Sequence, residues 1–285
     1  MASETILGDI MVVPFDHGAR RDGAQTLGRG LRIASLIMQA GQGGLGLSDV
    51  VEATGLNKST THRLLLELVG AGLLSRDEQR RYRLGPLAYE MGLVSSYRYD
   101  VRPLCETSLD RIACSTGDTV FLGKRCGASS VCIDHRIGAE VRPPIVPPKG
   151  RVHPLGVGSM GMAVLSQLSD EQVTVINAAN RKRLEAFAGV SSAYVQEMVE
   201  RTRALGFARM ANHVAHGVVS LGVSINDGSG RPLLAISVAT TLGRMSRSHE
   251  QSVLDALYAE ALVLQESLLQ RSRFPADAFA VPVTP

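Results

Sequence analysis

The chain's 285 residues, 45% of them hydrophobic, include 30 Lys and Arg against 27 Asp and Glu, for a net charge of +3. That length and apolar content accommodate two ordinary domains, each with its own core, and exclude a largely disordered chain. The small net charge excludes a polybasic protein, so any attraction to nucleic acid has to come from a local surface.

Residues 1–25 mix polar, glycine and charged residues without sustained periodicity and predict a mobile arm. Glu4 and Asp9 stand where an export signal is basic, and the apolar run Ile10 to Val13 is too short for a secretory or membrane segment. A cytoplasmic location without membrane contact is expected. Cys105, Cys114, Cys126 and Cys132 lack the spacing of a zinc knuckle or redox pair, so they read as reduced thiols.

Residues 26–85 predict one small domain. Leu31, Ile33, Ala34, Ile37 and Met38 recur at helical spacing, with Thr26 as a start signal and the glycines from Gly41 to Gly46 as a stop. Ser48 is placed to cap a short helix, Asp49 to Thr54, which Gly55 ends. Asn57 caps the next helix. There Thr61, Leu64, Leu65 and Leu68 share one face, leaving Ser59, Thr60, His62, Arg63 and Glu67 outside. Two short strands, Leu73 to Arg76 and Arg81 to Leu84, flank the turn Asp77-Glu78-Gln79-Arg80, with Tyr82 and Leu84 facing the helices and Arg81 and Arg83 facing outward.

Helix, turn, helix and basic hairpin in that order predict a winged helix-turn-helix. A helix entering the major groove needs short hydrogen-bonding side chains and an arginine near its N-terminus, where base edges and phosphates are closest. Lys58, Ser59, Thr60, His62 and Arg63 meet that need. Arg76, Arg80, Arg81 and Arg83 are candidates for phosphate or minor-groove contacts, which raise affinity more than sequence choice. The expected partner is double-stranded operator DNA.

Pro86 opens a further helix over residues 86–99, whose stripe Leu87, Met91 and Val94 a small domain need not bury. It predicts a linker helix with dimer contacts. From residue 100 to 272 helices alternate with paired strands. The best strands are Val120 to Lys124, Val131 to His135, Val218 to Ile225 and Leu233 to Ala239. The helices are Val101 to Ser115, Ser159 to Gln167, Ala193 to Leu205 and Ser248 to Leu269, and residues 273–285 read as a tail. The fold class is therefore α+β, with a mixed α/β ligand-binding domain behind the winged helix.

These residues resemble the IclR (isocitrate lyase regulator) family of bacterial transcriptional regulators. The likeness is carried by Leu47 to Leu65, with Ala53-Thr54-Gly55-Leu56 and Lys58-Ser59-Thr60 at its centre, and by Arg81-Tyr82-Arg83-Leu84-Gly85. It continues through Thr116-Gly117-Asp118-Thr119-Val120, His153 to Gly161, Arg203-Ala204-Leu205-Gly206-Phe207 and Ala235-Ile236-Ser237-Val238, covering about residues 26–270. The resemblance implies a repressor or activator that forms dimers, often paired into tetramers. It also implies a C-terminal effector domain on a curved antiparallel sheet, responding to a small metabolite such as an organic or aromatic acid. By the same resemblance Gly158, Ser159 and Met160 line the effector, and Ser220 and Ser237 match strand positions that contact it. Asn212 and His213 stand where the family commonly has acidic residues, and Gly156-Val157 where it has a His-Ala type sequence. This chain thus offers donors where carboxylates would accept. Free amides at the helix start near Ser159 favour a carboxylate on physical grounds alone.

Other patterns carry less. Gly156, Gly158 and Gly161 match a dinucleotide fingerprint, but Lys149 to Pro154 does not read as a buried strand and no acidic residue follows at the required distance. His135, His153, His213 and His216 have no metal-ligand spacing with the cysteines, and neither Ser159 with His213 nor Cys126 with His135 has a reason to be adjacent. No enzyme activity, metal or cofactor is assigned. Two alternatives stay open: an enzyme with an appended DNA-binding domain, and a constitutive DNA-binding protein with a vestigial pocket.

Overall fold

The computed structural model describes residues 25–140, 149–187, 189–227 and 230–270. The expected arm (apart from Gln25), the Pro-rich loop around Pro143 and Pro148, and the tail at 273–285 lie outside the described residues. The chain divides into two compact units, one ending at Asp100 and the other beginning at Val101.

The first unit runs α1 (Gln25–Ala40), α2 (Leu47–Thr54), α3 (Lys58–Gly70), β1 (Leu74–Arg76), β2 (Tyr82–Leu84) and α4 (Pro86–Tyr99). Its core joins Ile33, Leu36 and Ile37 of α1 to Val50, Leu64, Leu65, Leu74 and Tyr82. Leu31 and Met38, expected on that face, are 45% and 41% exposed. Leu31 and Ile33 are two positions apart on a helix and point about 200° from one another, so one stripe cannot hold both.

Ser48 does not cap α2. The helix starts at Leu47, and the Asp49 carboxylate reaches back to accept the Gly46 N–H at 2.8 Å. A carboxylate makes the stronger bond and also suits the positive end of the helix dipole. Gly55 ends the helix at φ 66, its N–H donating to the Val51 carbonyl. Asn57 caps α3 as expected, its Oδ1 accepting from the Thr60 amide at 2.8 Å.

In the wing, Tyr82 is fully buried but Leu84, expected beside it, is 45% exposed. The register pairs Leu74 with Leu84 and Arg76 with Tyr82. The buried residues Leu74 and Tyr82 thus lie on one diagonal of the ribbon. The strong twist of a two-stranded ribbon lets the helices cover that diagonal and leaves the other outside. Leu45 adds a third rung by exchanging two backbone bonds with Tyr82. On α4, Tyr89, Met91, Leu93 and Val94 are all more than half exposed, Val94 by 84%.

The second unit contains α5 (Arg102–Thr116), β3 (Thr119–Cys126), β4 (Ser129–Arg136), β5 (Val152–Pro154), α6 (Gly158–Ser166), α7 (Asp170–Leu184), α8 (Ser192–Leu205), β6 (Ala208–Ala211), β7 (Val218–Asn226), β8 (Pro232–Thr241) and α9 (Arg247–Gln270). Its six strands form an antiparallel sheet in the order β5-β4-β3-β8-β7-β6. Alternation sorts the side chains. Val120 and Leu122 of β3, Leu221 and Val223 of β7, and Ile236 and Val238 of β8 pack with Leu109 and Ile112 of α5 and with Val253 and Leu257 of α9. The opposite face meets α6.

Three elements escaped the sequence reading: α7, β5 and β6. The buried stripe of α7 includes Asn177, Asn180 and Arg183, so its apolar period is broken. The strands β5 and β6 have three and four residues, too few for alternation to register. The segment ending at Pro154, read as no buried strand, is a half-covered edge strand paired to β4.

Candidate nucleic-acid interface and effector site

The Asn57 cap sets the start of α3, and through it the direction of every side chain on the helix. Thr61, Leu64 and Leu65 are buried, while Lys58, Ser59, His62 and Arg63 form one exposed polar and cationic face; Thr60 is half-buried at its margin. The Ser59 hydroxyl donates to Asn57 Oδ1 at 3.0 Å and keeps its own lone pairs to accept.

The four wing arginines divide. Arg76 and Arg80 are exposed, Arg76 lying 5.4 Å from the centroid of the Tyr82 ring and Arg80 at φ 60 in the turn. Arg81 and Arg83, expected to face outward, are half-buried and committed to the fold. Arg81 donates from Nε to the Gly43 carbonyl and from Nη2 to the Gly44 carbonyl, both at 2.7 Å. Arg83 donates to Asp77 Oδ2 at 2.9 Å. The Arg81 amide, and after it the Arg83 side chain, hold the Asp77 carboxyl below its usual range.

In the second unit α6 begins directly against the sheet. A Cβ placed on Gly222 of β7 would lie 2.8 Å from the Ser159 carbonyl oxygen, and one on Gly123 of β3 would lie 2.8 Å from Met160 Sδ. At Gly222 the obstacle would be backbone, so only glycine lets the helix approach so closely there; at Gly123 it would be a flexible side chain. Val157, at the N-cap, offers no side-chain acceptor to the first-turn amides. Ser237 pairs with Gly222 on one side and with Phe121 on the other, so it shares the α6 face. Ser220, two residues from Gly222, is on that face too, and Met160 packs with Phe121, Cys132 and Ala239. The structure thus brings Gly158, Ser159, Met160, Ser220 and Ser237 to one side of the sheet.

Asn212 has a different part. At φ 64 it closes the loop between β6 and β7, its N–H donating to the Val218 carbonyl and its Oδ1 accepting from Gly217 N–H. His213 Nε2 lies 2.7 Å from Tyr194 Oη with the rings 4.8 Å apart, and Val214 lies within 3.5 Å of a Cβ placed on Gly158. Sequence reasoning missed Tyr194, Phe121 and Cys132, and it weighed His135 only as a metal ligand or a partner of Cys126. Tyr194 sits in an ordinary amphipathic helix, and Phe121 and Cys132 read as strand core. A bulge between Leu122 and Gly123 turns Cys132 to the α6 face while Ile133 packs with the α5 side.

Charge on β4 next to Cys132 and His135 is fixed. Burial works to raise the Asp134 carboxyl, but Lys149 at 2.6 Å, Arg136 at 3.0 Å and the His135 amide bring it down to about 2. Burial, and then Asp134, push the Cys132 thiol up to about 11, and burial with Lys149 lowers His135. Both act as neutral groups near pH 7. Cys126 and His135 sit toward opposite ends of the β3–β4 ladder. Among the described residues no three His, Cys, Asp or Glu side chains converge as a metal site, and no helix is long and apolar enough to cross a membrane.

Comparison with known proteins identifies both domains. The family model for the IclR helix-turn-helix domain matches residues 26–78, and that for the bacterial transcriptional regulator IclR C-terminal domain matches residues 95–265. The transcriptional repressor IclR of Escherichia coli is 27% identical over 228 residues, 78% of this chain and 82% of that protein. The transcriptional repressor AllR of Klebsiella pneumoniae is 28% identical over 227 residues, 79% of this chain and 82% of that one. A crystal structure of an IclR family regulator from Brucella abortus superposes with a TM-score of 0.73 at 20% identity, covering 90% of this chain and 98% of its own. At that identity the superposition speaks for the fold alone.

Proposed function

This chain belongs to the IclR family of bacterial transcriptional regulators, and from that premise we propose how its two units divide the work of DNA binding modulated by a metabolite. Residues 26–85 read the operator, with α3 in the major groove. Lys58, Ser59, Thr60, His62 and Arg63 meet bases and adjacent phosphates, and Arg76 and Arg80 meet the backbone beside them. Arg81 and Arg83 support the wing from within. The single observation that carries this reading is the exposed Lys58-Ser59-His62-Arg63 face, set by the Asn57 cap above a buried Thr61-Leu64-Leu65 face.

Residues 100–272 bind a small organic or aromatic acid at Gly158, Ser159 and Met160, between the uncapped amides of α6 and the hydroxyls of Ser220 and Ser237. His213, held by Tyr194, takes part from the side. The exposed stripe of α4, residues 86–99, pairs two copies of the chain in the cytoplasm, with dimers of dimers as the larger assembly. The ligand shifts the spacing of the two recognition helices only by its difference in affinity for the two arrangements. The chain acts without enzyme chemistry of its own.

Fluorescence anisotropy against DNA from upstream of its own gene, with random duplex as control and a salt series, tests the DNA half. Preferential binding to the upstream DNA, lost in Arg63→Ala, is the expected result. Equal, strongly salt-dependent binding to both duplexes would leave only phosphate attraction. For the effector half, Ser159→Leu should abolish the ligand response and keep basal DNA binding; loss of both together would contradict the division.

A further inference from the structure

Arg183, near the C-terminal end of α7, is a buried cation with no carboxylate partner among the described residues. Only 8% of it is exposed. Its Nη1 donates to Ser129 Oγ and to Asn180 Oδ1, both at 3.0 Å. These acceptors are neutral, and Asn180 is locked in place by its Nδ2, which donates to the Ala128 and Leu155 carbonyls. A guanidinium removed from water without a counter-charge is costly, and arginine does not escape the cost by losing its proton near neutral pH. Burial lowers Arg183 only to about 10.

The surroundings add positive charge and unused hydrogen-bonding capacity. Arg125, Ser130 and His153 form one cross-strand row over β3, β4 and β5. Arg125 is lowered by burial, and its Nε donates to the Gly127 carbonyl. Burial first, then Arg151 and Arg183, push His153 down to about 4, so its ring is neutral at pH 7. Its Nδ1 is buried without a partner, and the Phe187 ring stands 5.5 Å away. A guanidinium and the Ser129 hydroxyl thus meet beside the row that carries His153, and among the described residues no carboxylate pairs with that guanidinium.

We propose that Arg183 and Ser129 form the heart of a second anion site, separate from the face at Ser159, which takes a small oxyanion, a phosphate or a carboxylate. The proposal goes beyond the effector reading and does not depend on it. The oxyanion supplies the counter-charge that Arg183 lacks, accepts from the Ser129 hydroxyl, and ties α7 to the β3–β4 hairpin.

The test is thermal unfolding of the full chain in chloride buffer, with inorganic phosphate or acetate replacing chloride at constant ionic strength. Wild type should show a saturable rise in midpoint with at least one of the two anions, and which one assigns the class. Arg183→Gln should lose that rise and, in chloride, melt no lower than wild type, because the variant no longer buries an uncompensated charge. Ser159→Leu should keep the rise. A rise of equal size in wild type and R183Q, no rise in wild type, or loss of the rise in S159L would each overturn the assignment. Should R183Q fail to fold, Ser129→Ala, combined with calorimetric titration of the same anion, decides: several-fold weaker binding supports the site, and unchanged affinity refutes it.

Discussion

Replacing Gly222 by alanine should push α6 off the sheet that it lies against. The added Cβ would sit 2.8 Å from the Ser159 carbonyl oxygen, 2.9 Å from its carbonyl carbon and 3.1 Å from its Cβ. Carbon contacts are favourable near 3.5–4.0 Å, so the start of α6 has to withdraw by about 0.5–1 Å. The obstacle is backbone, which cannot rotate away, and overpacking of this kind costs about 1–3 kcal/mol. Alanine restricts the unfolded chain and returns about 0.4–1 kcal/mol, leaving a net loss of about 1–2 kcal/mol. For a unit of this size that corresponds to a midpoint lower by about 2–8 °C. Calorimetry of the full chain reads the shift, and operator anisotropy with effector reads the accompanying loss of response. Gly123→Ala is the internal control. Its new Cβ meets the flexible Met160 side chain, with Sδ at 2.8 Å and Cβ at 3.3 Å, so it should cost under about 1 kcal/mol. If G222A melts with wild type, or G123A costs more than G222A, the close-packing argument is wrong.

Three further outcomes are expected. Asn57→Ala removes the acceptor of the Thr60 amide and should destabilise the N-terminal unit by about 1 kcal/mol, with Asn57→Asp recovering most of it in circular-dichroism melts. Arg81→Ala should destabilise the same unit by about 1–3 kcal/mol by removing two bonds to the Gly43 and Gly44 carbonyls. Arg80→Ala should leave the melt unchanged and reduce the salt dependence of DNA binding by about one counterion; the opposite pattern would exchange their roles. His153 titrates at about 4 in the folded chain against an ordinary 6.5, so the unfolded chain takes up the proton first. Stability is therefore complete above pH 6.5 and falls as pH drops toward 4, by at most about 3 kcal/mol. Asp134, at about 2 against 3.8, loses its contribution only below pH 3.8, outside that window. Urea melts at pH 7 and 4.5 should show the loss in wild type and a flatter profile in His153→Gln.

What the sequence determined by itself was local or periodic. The Asn57 cap, the Gly55 stop and the Thr61-Leu64-Leu65 face depend on residues within one or two helical turns, so the recognition helix and the four long strands are legible from the order of residues alone. The family likeness rests on the same local segments. Long-range contacts decided the rest. Nothing near Arg81 in sequence announces that its guanidinium spans to Gly43 and Gly44 and supports the wing from within. Leu84 is exposed because a two-stranded ribbon twists, a property of the pair and not of either strand. Phe121 and Cys132 join the α6 face through register and bulge, and Tyr194 meets His213 through helix placement, which strand and helix patterns taken singly do not encode. Arg183 reads as one more charged residue at a helix end until Asn180 and Ser129 close around it. A side chain's period along its own element follows from backbone geometry, which neighbours in sequence set, whereas its partner across space is chosen by the packing of the whole unit.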